Sequence, residues 1–338
     1  GEYIINGIDM NSDSKRTPLR YLKVDDIIIN QIIKYNPDII AMSSYASNIY
    51  NALFWAKEIK KRLPSSFIVI GGNHASYIPN EILTKCDAID AVICFEGEIA
   101  FKMLCENIEL KNFENIPNLA YRKGQKIIIN HKSELIRNIS ELPDIKRDYF
   151  ETSKNKDITH ADIISARGCP YNCTFCNCNH YWDKKYRVRS IESVINELKS
   201  LKQKYPKLKS IRFRDESLTI VQKHAIQLCQ ELIKANLGLT FQAHSRLDGL
   251  DEELISIMKK AKFNMLFIGF ESGSKKVLKR LKKEIDIDRA KKVINLLREY
   301  KIKFRGSFMA STPNEKLTDI YKTFRLIKKL EEIKSGST

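Results

Sequence analysis

The sequence predicts an α/β protein in two parts: a parallel sheet with helices on both faces, followed by part of a parallel β/α barrel. Three observations predict this. Strand and helix patterns alternate twice, in residues 1–110 and again in residues 158–338. Residues 111–157 between them lack that alternation. Four cysteines crowd into ten positions directly after the first strand of the second part, where a barrel would carry its chemistry.

Strand and helix patterns make up the first part in pairs. In order they are EYIINGID and VDDIIINQIIKYN, DIIAMSS and NIYNALFWAKEIKKRL, SFIVIGG and IPNEILTKC, and AVICF and EIAFKMLCENI. Pro37 and Pro64 end the first two helices. Ligands of such sheets bind at the carboxyl ends of the strands. Two of these ends stand out: the serine pair of MSSY and the glycine pair of GGNHAS, although a glycine pair also suits an ordinary tight turn.

Residues 111–157 are predicted to connect the two parts. The segment PNLAYRKGQKIIINHK resembles a β-hairpin around Gly124, and ISELPDIKRDYF is an irregular strap. The predicted organisation is therefore a first domain over 1–110, a linker with a hairpin over 111–157, and a second domain over 158–338.

Five βα units follow one another in the second part. Their strands lie in DIISARG, SIRFRDESL, LTFQAHSRLD, MLFIGFESG and KFRGSFMAST, and a helical pattern follows each of them. Such a run is typical of a parallel β/α barrel, and an open sheet between two helix layers is the alternative. In a barrel the chemistry takes place on the loops after the strands.

The charge of the chain is distributed unevenly. The formal net charge is +17, with 11 Lys and Arg against 14 Asp and Glu in residues 1–110, and 39 against 22 in residues 151–338. The lysines mostly decorate helices, as in KSLKQKYPKLKS, so a solvated helix face is a better interpretation than a nucleic-acid partner. The chain has no apolar run of membrane-spanning length and opens with no signal segment, so a cytoplasmic location is predicted.

Cys169, Cys173 and Cys176 follow the spacing C-x3-C-x2-C. In a reducing cytoplasm, clustered cysteines are more often metal ligands than disulfides. Thiolates of one loop can wrap an iron–sulfur cluster, and three ligands instead of four would leave one iron open to a small molecule. A zinc site completed by Cys178 and His180 is the alternative, although a second pair of cysteines at zinc-site spacing is missing.

The segment CPYNCTFC closely resembles the signature of the radical S-adenosylmethionine (radical SAM) superfamily, with Phe175 at its aromatic position. FRDES, QAHSRLD and GFESG, after the next three strands, resemble segments that contact the cofactor in that superfamily. MSSY, GGNHAS and FEGE in the first part are similar to the cobalamin-binding domain of the cobalamin-dependent branch. The resemblance implies a Rossmann-like (flavodoxin-like) cobalamin-binding domain followed by a partial (β/α)6 TIM-type radical SAM barrel.

The resemblance also implies which residues bind the cofactors. Cys169, Cys173 and Cys176 would ligate a [4Fe–4S] cluster, and the fourth iron would bind S-adenosylmethionine. The other contacts to S-adenosylmethionine would come from Phe175, Asp215 or Glu216, Arg246, Glu271 and Ser272. Cobalamin would contact Ser43, Ser44, Gly71, Gly72, His74, Glu96 and Gly97. Each of these residues also has a structural interpretation, such as an ion pair between Arg246 and Asp248.

The implied activity is reductive cleavage of S-adenosylmethionine to a 5′-deoxyadenosyl radical that abstracts hydrogen, followed by methyl transfer to an unactivated carbon or phosphorus. The substrate would be a small molecule or a peptide, and the electron donor a protein such as flavodoxin or ferredoxin. One alternative is a radical rearrangement, cyclisation or epimerisation in natural-product or peptide modification, with cobalamin structural or absent. The other is a non-catalytic iron–sulfur sensor.

Both ends of the sequence depart from the pattern of that branch. The chain begins at what resembles the second strand of the cobalamin-binding domain, and it stops after the fifth barrel helix, where a sixth strand is expected. Further residues are therefore expected beyond both ends in the natural protein, and the alternative for the first end is a cobalamin site without a histidine ligand to cobalt.

Overall fold

The computed structural model describes residues 18–147 and 157–335. The predicted strand EYIINGID lies outside the described residues. The chain divides into two compact units, with the first reaching Arg137 and the second starting at Asn138. The first unit thus extends beyond residue 110. The boundaries predicted for the first domain, the linker and the second domain remain predictions.

The first unit is built on a five-stranded sheet. Its helices are α1 (Pro18–Tyr35), α2 (Ile49–Arg62), α3 (Pro79–Lys85) and α4 (Glu98–Asn107), and its strands are β1 (Ile39–Ser43), β2 (Phe67–Gly71), β3 (Ala91–Ile93), β4 (Leu119–Lys123) and β5 (Lys126–Ile129). The strand order is β1-β2-β3-β4-β5, with β1, β2 and β3 parallel and β4 and β5 antiparallel. The predicted hairpin at Gly124 therefore forms, and it extends the sheet instead of only linking the two parts.

Alternate side chains of this sheet build two separate cores. Ile68 and Ile70 pack with Ile59 of α2 in one core. Val69, which lies between those isoleucines in β2, packs with Leu104 of α4 in the other. Successive strand residues point to opposite faces, so helices cover both faces of the sheet, as the alternation of strands and helices predicts.

The second unit contains the cysteine loop and the second parallel sheet. Its strands are β6 (His160–Ile163), β7 (Ala166–Arg167), β8 (Arg187–Val188), β9 (Ser210–Phe213), β10 (Thr240–Arg246), β11 (Phe263–Glu271) and β12 (Lys303–Phe308). Its helices are α5 (Cys178–Tyr181), α6 (Ile191–Lys204), α7 (Gln222–Ala235), α8 (Glu252–Lys260), α9 (Lys275–Arg280), α10 (Ala290–Glu299) and α11 (Leu317–Ser335). The short strands β7 and β8 pair antiparallel and enclose the cysteine loop between them.

The strands of the second sheet follow one another in chain order, β6-β9-β10-β11-β12, and every pair is parallel. Right-handed connections between such strands place all the helices on one face. On that face Phe213, Ala243 and Leu266 share one core with Leu198 of α6 and Leu254 of α8. This is the arrangement of a partial barrel, which the five βα units predict, and not of an open sheet between two helix layers.

In the described part of the chain, none of the helices combines the length and apolar character that crossing a bilayer requires.

Candidate cofactor sites

The cysteine loop starts at a glycine that no other residue could replace without distortion. Gly168 has φ +97°, and a Cβ there would lie 1.9 Å from the Lys185 carbonyl oxygen. The chain can therefore leave β7 and pass directly against the residues that lead into β8. The three cysteines of the motif follow within this loop, at the carboxyl side of β6 as predicted.

Asp215 holds the chain just before the loop. Its Oδ1 accepts hydrogen bonds from the Ser165 and Ala166 N–H groups at 2.7 and 3.1 Å, and its Oδ2 accepts one from the Ser165 hydroxyl. The carboxyl is only 1% exposed, and burial raises its pKa to about 6 although these hydrogen bonds lower it. Asp215 is therefore placed to position the loop.

Glu216 holds the loop at both of its ends. Its Oε2 accepts a hydrogen bond from the Gly168 N–H at 2.9 Å, and its Oε1 accepts one from the Trp182 indole N–H at 2.7 Å. Unlike Asp215, Glu216 is exposed. Of the two carboxylates, it is the one that a ligand can reach, because each carboxylate oxygen can accept a further hydrogen bond.

The thiols of the loop interact with one another. The Cys178 thiol hydrogen-bonds to Cys169 and Cys176, which lowers the pKa of Cys169 to about 7 and that of Cys176 to about 6 and raises its own pKa. Burial raises the pKa of Cys173, an effect that the positive charge of Lys283 opposes. Iron is ligated by the thiolate form. Hydrogen bonding with Cys178 therefore eases ionisation of Cys169 and Cys176, two of the three motif positions.

No group of three or more His, Cys, Asp or Glu side chains in the described ranges is placed to hold a metal ion as the side chains stand. His180, which the zinc alternative invokes, is exposed on α5.

Two buried cations border the thiols, and each has a carboxylate partner. Arg246 forms a forked pair with Asp248, with Nε–Oδ1 and Nη2–Oδ2 distances of 3.0 and 2.9 Å, and its Cζ lies 3.4 Å from the centroid of the Tyr171 ring. The Lys283 Nζ lies 3.2 Å from Oε1 of Glu271. The structural interpretation of Arg246 is thus realised, and Glu271 is occupied by an ion pair.

The two remaining residues predicted to contact S-adenosylmethionine differ in accessibility. Ser272 is fully buried, and its hydroxyl lies 3.1 Å from the Thr323 hydroxyl of α11. Phe175 is 41% exposed in the cysteine loop. Apart from Phe175, the predicted residues therefore lie at the carboxyl ends of β9, β10 and β11, where Ser272 and Asp215 make supporting contacts.

The predicted cobalamin residues of the first unit meet at the carboxyl ends of β1 and β2. Gly72 has φ +94°, and a Cβ there would lie 2.7 Å from the Ser44 carbonyl oxygen and 2.8 Å from the Ser43 Oγ. The Ser44 hydroxyl is buried and donates to the Gly71 carbonyl oxygen at 3.1 Å, whereas Ser43 is exposed. The glycine lets the two loops touch and form one edge, at which His74 is half-buried.

The third strand end of this unit carries the remaining pair. Glu96 is 6% exposed, and its Oε2 accepts a hydrogen bond from the Ile136 N–H at 2.9 Å. Gly97 directly precedes α4. Glu96 thus ties the chain after the hairpin to the sheet, which accounts for its burial.

Sequence reasoning missed the functional neighbours of the cysteines. Tyr171 lies inside the motif itself, between the first two cysteines, so its position was a usable signal. Trp182 lies four residues after the last cysteine of the loop, and its indole reaches Glu216. Lys283 lies in the lysine-rich segment after α9, and nothing in that segment distinguishes it from its exposed neighbours.

Two family models match the chain. The B12 binding domain matches residues 7–104, and the Radical SAM superfamily matches residues 163–327, which include the whole cysteine loop. Each matched range lies within one of the two compact units. The chain therefore contains a B12-binding domain and a radical SAM domain. The resemblance seen in the sequence and the fold class that it implied are confirmed.

Relatives with similar sequences cover both domains. An uncharacterized methyltransferase of Pyrococcus horikoshii is 29% identical over 303 residues, which are 89% of this chain and 66% of the relative. The anaerobic magnesium-protoporphyrin IX monomethyl ester cyclase of Rubrivivax gelatinosus is 27% identical over 316 residues, 89% of this chain and 56% of that protein. The chain therefore spans less than two thirds of the length of either relative.

A solved structure shares the fold of this chain. The radical S-adenosylmethionine methyltransferase TsrM from Kitasatospora setae, solved with cobalamin and a [4Fe–4S] cluster bound, superimposes with a TM-score of 0.79. The match covers 93% of this chain and 66% of that chain at 14% sequence identity. At this identity the likeness is one of fold.

The two domains imply three cofactors: a [4Fe–4S] cluster and S-adenosylmethionine for the radical SAM domain, and cobalamin for the B12-binding domain. The residues present fit them. Three cysteines with two lowered thiol pKa values beside Lys283 and Arg246 suit an anionic thiolate-ligated cluster. At the edge after β1 and β2, Gly72 lets the two loops touch, and the exposed Ser43 and the half-buried His74 lie at that edge as polar groups for a ligand.

Proposed function

We propose that this chain belongs to a cobalamin-dependent radical SAM methyltransferase that methylates an unactivated carbon or phosphorus atom of an organic substrate. The observation that carries the proposal is the cysteine loop at the carboxyl side of a partial barrel, in a chain that also contains a B12-binding domain. A radical SAM enzyme also requires an electron donor, and a flavodoxin or ferredoxin is the donor we propose.

In this proposal Cys169, Cys173 and Cys176 hold the cluster. A reduced cluster, when bound, supplies the electron that cleaves S-adenosylmethionine to methionine and a 5′-deoxyadenosyl radical. The chain itself orients the reactants. Asp215 and Glu216 hold the loop to the sheet through hydrogen bonds to its backbone and indole donors, so the thiols keep a defined position against the strand ends.

S-adenosylmethionine itself would be held by groups around the loop, of which Glu216 and Phe175 are exposed and Arg246 and Glu271 are buried. We assign the ammonium contact to Glu216, because Asp215 is buried and already accepts three hydrogen bonds. Arg246, fixed by Asp248 and Tyr171, would donate to the cofactor's carboxylate from a preset orientation. Phe175, which is partly exposed, would pack against the adenine, and Glu271 would accept hydrogen bonds from the ribose.

Cobalamin would lie along the edge formed by Ser43, Gly71, Gly72 and His74. Ser44 and Glu96 support that edge from within, because both side chains are buried and hydrogen-bonded to the backbone. Gly97, which directly precedes α4, would contact the ligand beyond the end of β3.

A second candidate function is a radical cyclisation without methyl transfer. The observation in its favour is the cyclase relative, which is nearly as similar in sequence as the methyltransferase relative. The products separate the two reactions. Methyl transfer removes a methyl group from S-adenosylmethionine and leaves S-adenosylhomocysteine, whereas a cyclisation driven by hydrogen abstraction leaves 5′-deoxyadenosine and methionine alone.

The decisive experiment is anaerobic reconstitution of the chain with iron and sulfide, followed by reduction and assay for 5′-deoxyadenosine. We expect bound iron, a corrinoid absorption spectrum after addition of cobalamin, and release of 5′-deoxyadenosine. Cys176→Ala should lose the cluster and the cleavage, whereas Cys105→Ala, in α4 of the other unit, should keep both. A cluster that never cleaves S-adenosylmethionine would favour the iron–sulfur sensor, and full cleavage by Cys176→Ala would refute the ligand assignment.

A further inference from the structure

The second sheet has one face packed on helices and an opposite face that is polar and accessible. Below the cysteine loop, that face carries four cations and one carboxylate on neighbouring strands: Arg212, Arg214, Lys303 and Arg305, and Asp162. Arg214, Lys303 and Arg305 are exposed, and Arg212 is half-buried. The positive charge of this cationic face therefore exceeds the charge that Asp162 can neutralise.

The one carboxylate of the cationic face is shared between two other groups. Asp162 lies 3.7 Å from the Nε of Arg214 and 3.2 Å from the Nε2 of His160. Within the described ranges, neither Arg212 nor Arg305 has a carboxylate at ion-pair distance, and the buried Nε of Arg212 has no hydrogen-bond partner. Both guanidinium groups therefore lack a neutralising carboxylate partner on this face.

An aromatic side chain holds these two arginines in place. The Cζ of Arg212 lies 4.0 Å from the centroid of the Phe267 ring, and that of Arg305 lies 5.8 Å from it. The His244 ring stacks on Phe267 at 5.0 Å, and its Nε2 lies 2.9 Å from Nη2 of Arg212. The contacts orient the cations without neutralising them, because a ring face attracts a guanidinium but carries no net charge.

The electrostatics of these groups agree with a shared anion site. Burial and the charges of Arg214 and Arg305 lower the pKa of Arg212. Burial and the charges of Arg212 and Arg214 lower the pKa of His244, so that its neutral ring can accept the hydrogen bond from Arg212. Positive charges that disfavour one another in this way are stabilised together when an anion binds between them.

We propose that the cationic face binds the organic substrate through an anionic group, a carboxylate, phosphate or phosphonate, held by Arg212 and Arg305. The inference rests on the proposed function for the idea that this face receives a substrate. The position of the site is inferred from the two arginines, because a planar guanidinium group can donate two parallel hydrogen bonds to such an oxyanion. The face continues upward to Arg246 and Glu271, next to the cysteine loop, so an anchored substrate would extend towards the cluster.

The test uses phenylphosphonate as the probe and its uncharged diethyl ester as the matched neutral compound. Binding to the full reconstituted chain is measured by titration calorimetry at low salt. We expect phenylphosphonate to bind and the diester not to bind. Arg212→Gln and Arg305→Gln should each weaken binding about tenfold or more, as removal of a charge-assisted hydrogen bond does. Arg325→Gln, which removes an exposed arginine from over the ring of Tyr321 on α11, should bind like the parent.

A second measurement reports on the geometry. Bound anion should raise the pKa of His244 in an NMR titration of the parent protein, because it offsets the charge of Arg212. Equal binding of the diester, equal weakening by Arg325→Gln, or an unshifted His244 would overturn the proposal. Should Arg212→Gln fail to fold, the exposed Arg305 decides the outcome. The parent's 5′-deoxyadenosine yield tests the proposed function separately, so failure of one can be told from failure of the other.

Discussion

Replacement of Gly168 by alanine should destabilise the radical SAM unit and empty its cysteine loop of iron. The positive φ of +97° disfavours any side chain, by about 1–2 kcal/mol. The new Cβ would also lie 1.9 Å from a backbone oxygen that cannot rotate away, and overpacking of this kind adds about 1–3 kcal/mol. The loss in the free energy of unfolding should therefore be about 2–5 kcal/mol.

Gly238→Ala separates the two contributions. Gly238 also has a positive φ, +70°, but a Cβ there meets nothing within 4 Å, so only the backbone part should appear. Urea unfolding of both variants measures the difference, and iron content after anaerobic reconstitution measures the effect on the loop. Equal losses of stability in the two variants, or full iron content in Gly168→Ala, would show that the contact with Lys185 does not constrain the loop.

Three further predictions concern other parts of the molecule. Gly72→Ala should weaken cobalamin binding about tenfold or more in an absorption titration, because its Cβ would push the β1 and β2 loops apart. Gly124→Ala, whose Cβ meets nothing within 4 Å, should bind cobalamin normally. Equal binding by both variants would contradict this prediction. The pKa of Asp215 is raised to about 6 from an ordinary 3.8, so its folded form keeps a proton that the unfolded chain loses. The contribution of this residue to stability should therefore fall by about 2 kcal/mol as the pH rises from 4 to 6. Urea unfolding across that range should show a flatter curve for Asp215→Asn, and an unchanged slope would refute the assignment. Lys283→Met should lower the free energy of unfolding by about 3–5 kcal/mol, since it leaves the Glu271 carboxylate buried and unpaired. A loss below about 1 kcal/mol, which is the range of an exposed ion pair, would show that the carboxylate is solvated.

The fold could be predicted because strands and helices are indicated by patterns within a few adjacent residues. Apolar runs such as SFIVIGG and AVICF coincide with β2 and β3, and proline marks the end of α2. The hairpin around Gly124 was visible for the same reason. Its membership of the first sheet was not, because pairing between β3 and β4 joins residues that are far apart in sequence.

The cysteine motif was equally local, since three thiols within eight positions need no tertiary information. The supports of the loop were beyond the reach of sequence reasoning. Fifty positions separate Ser165 from Asp215, and only the folded sheet shows that this carboxylate faces the loop backbone instead of a ligand. Likewise, the stacking of Arg246 on Tyr171 depends on how the loop folds back over β10.

The hydrogen bonds of Glu216 have a practical consequence. One carboxylate joins the first residue of the loop to the indole that follows its last cysteine, so a single side chain closes a ring of some fifteen residues. Loss of the hydrogen bond at one end of the loop should therefore also change the position of the other end. The chain has only two tryptophans, and the Trp182 indole proton can serve as a resolved NMR signal that follows iron uptake in real time.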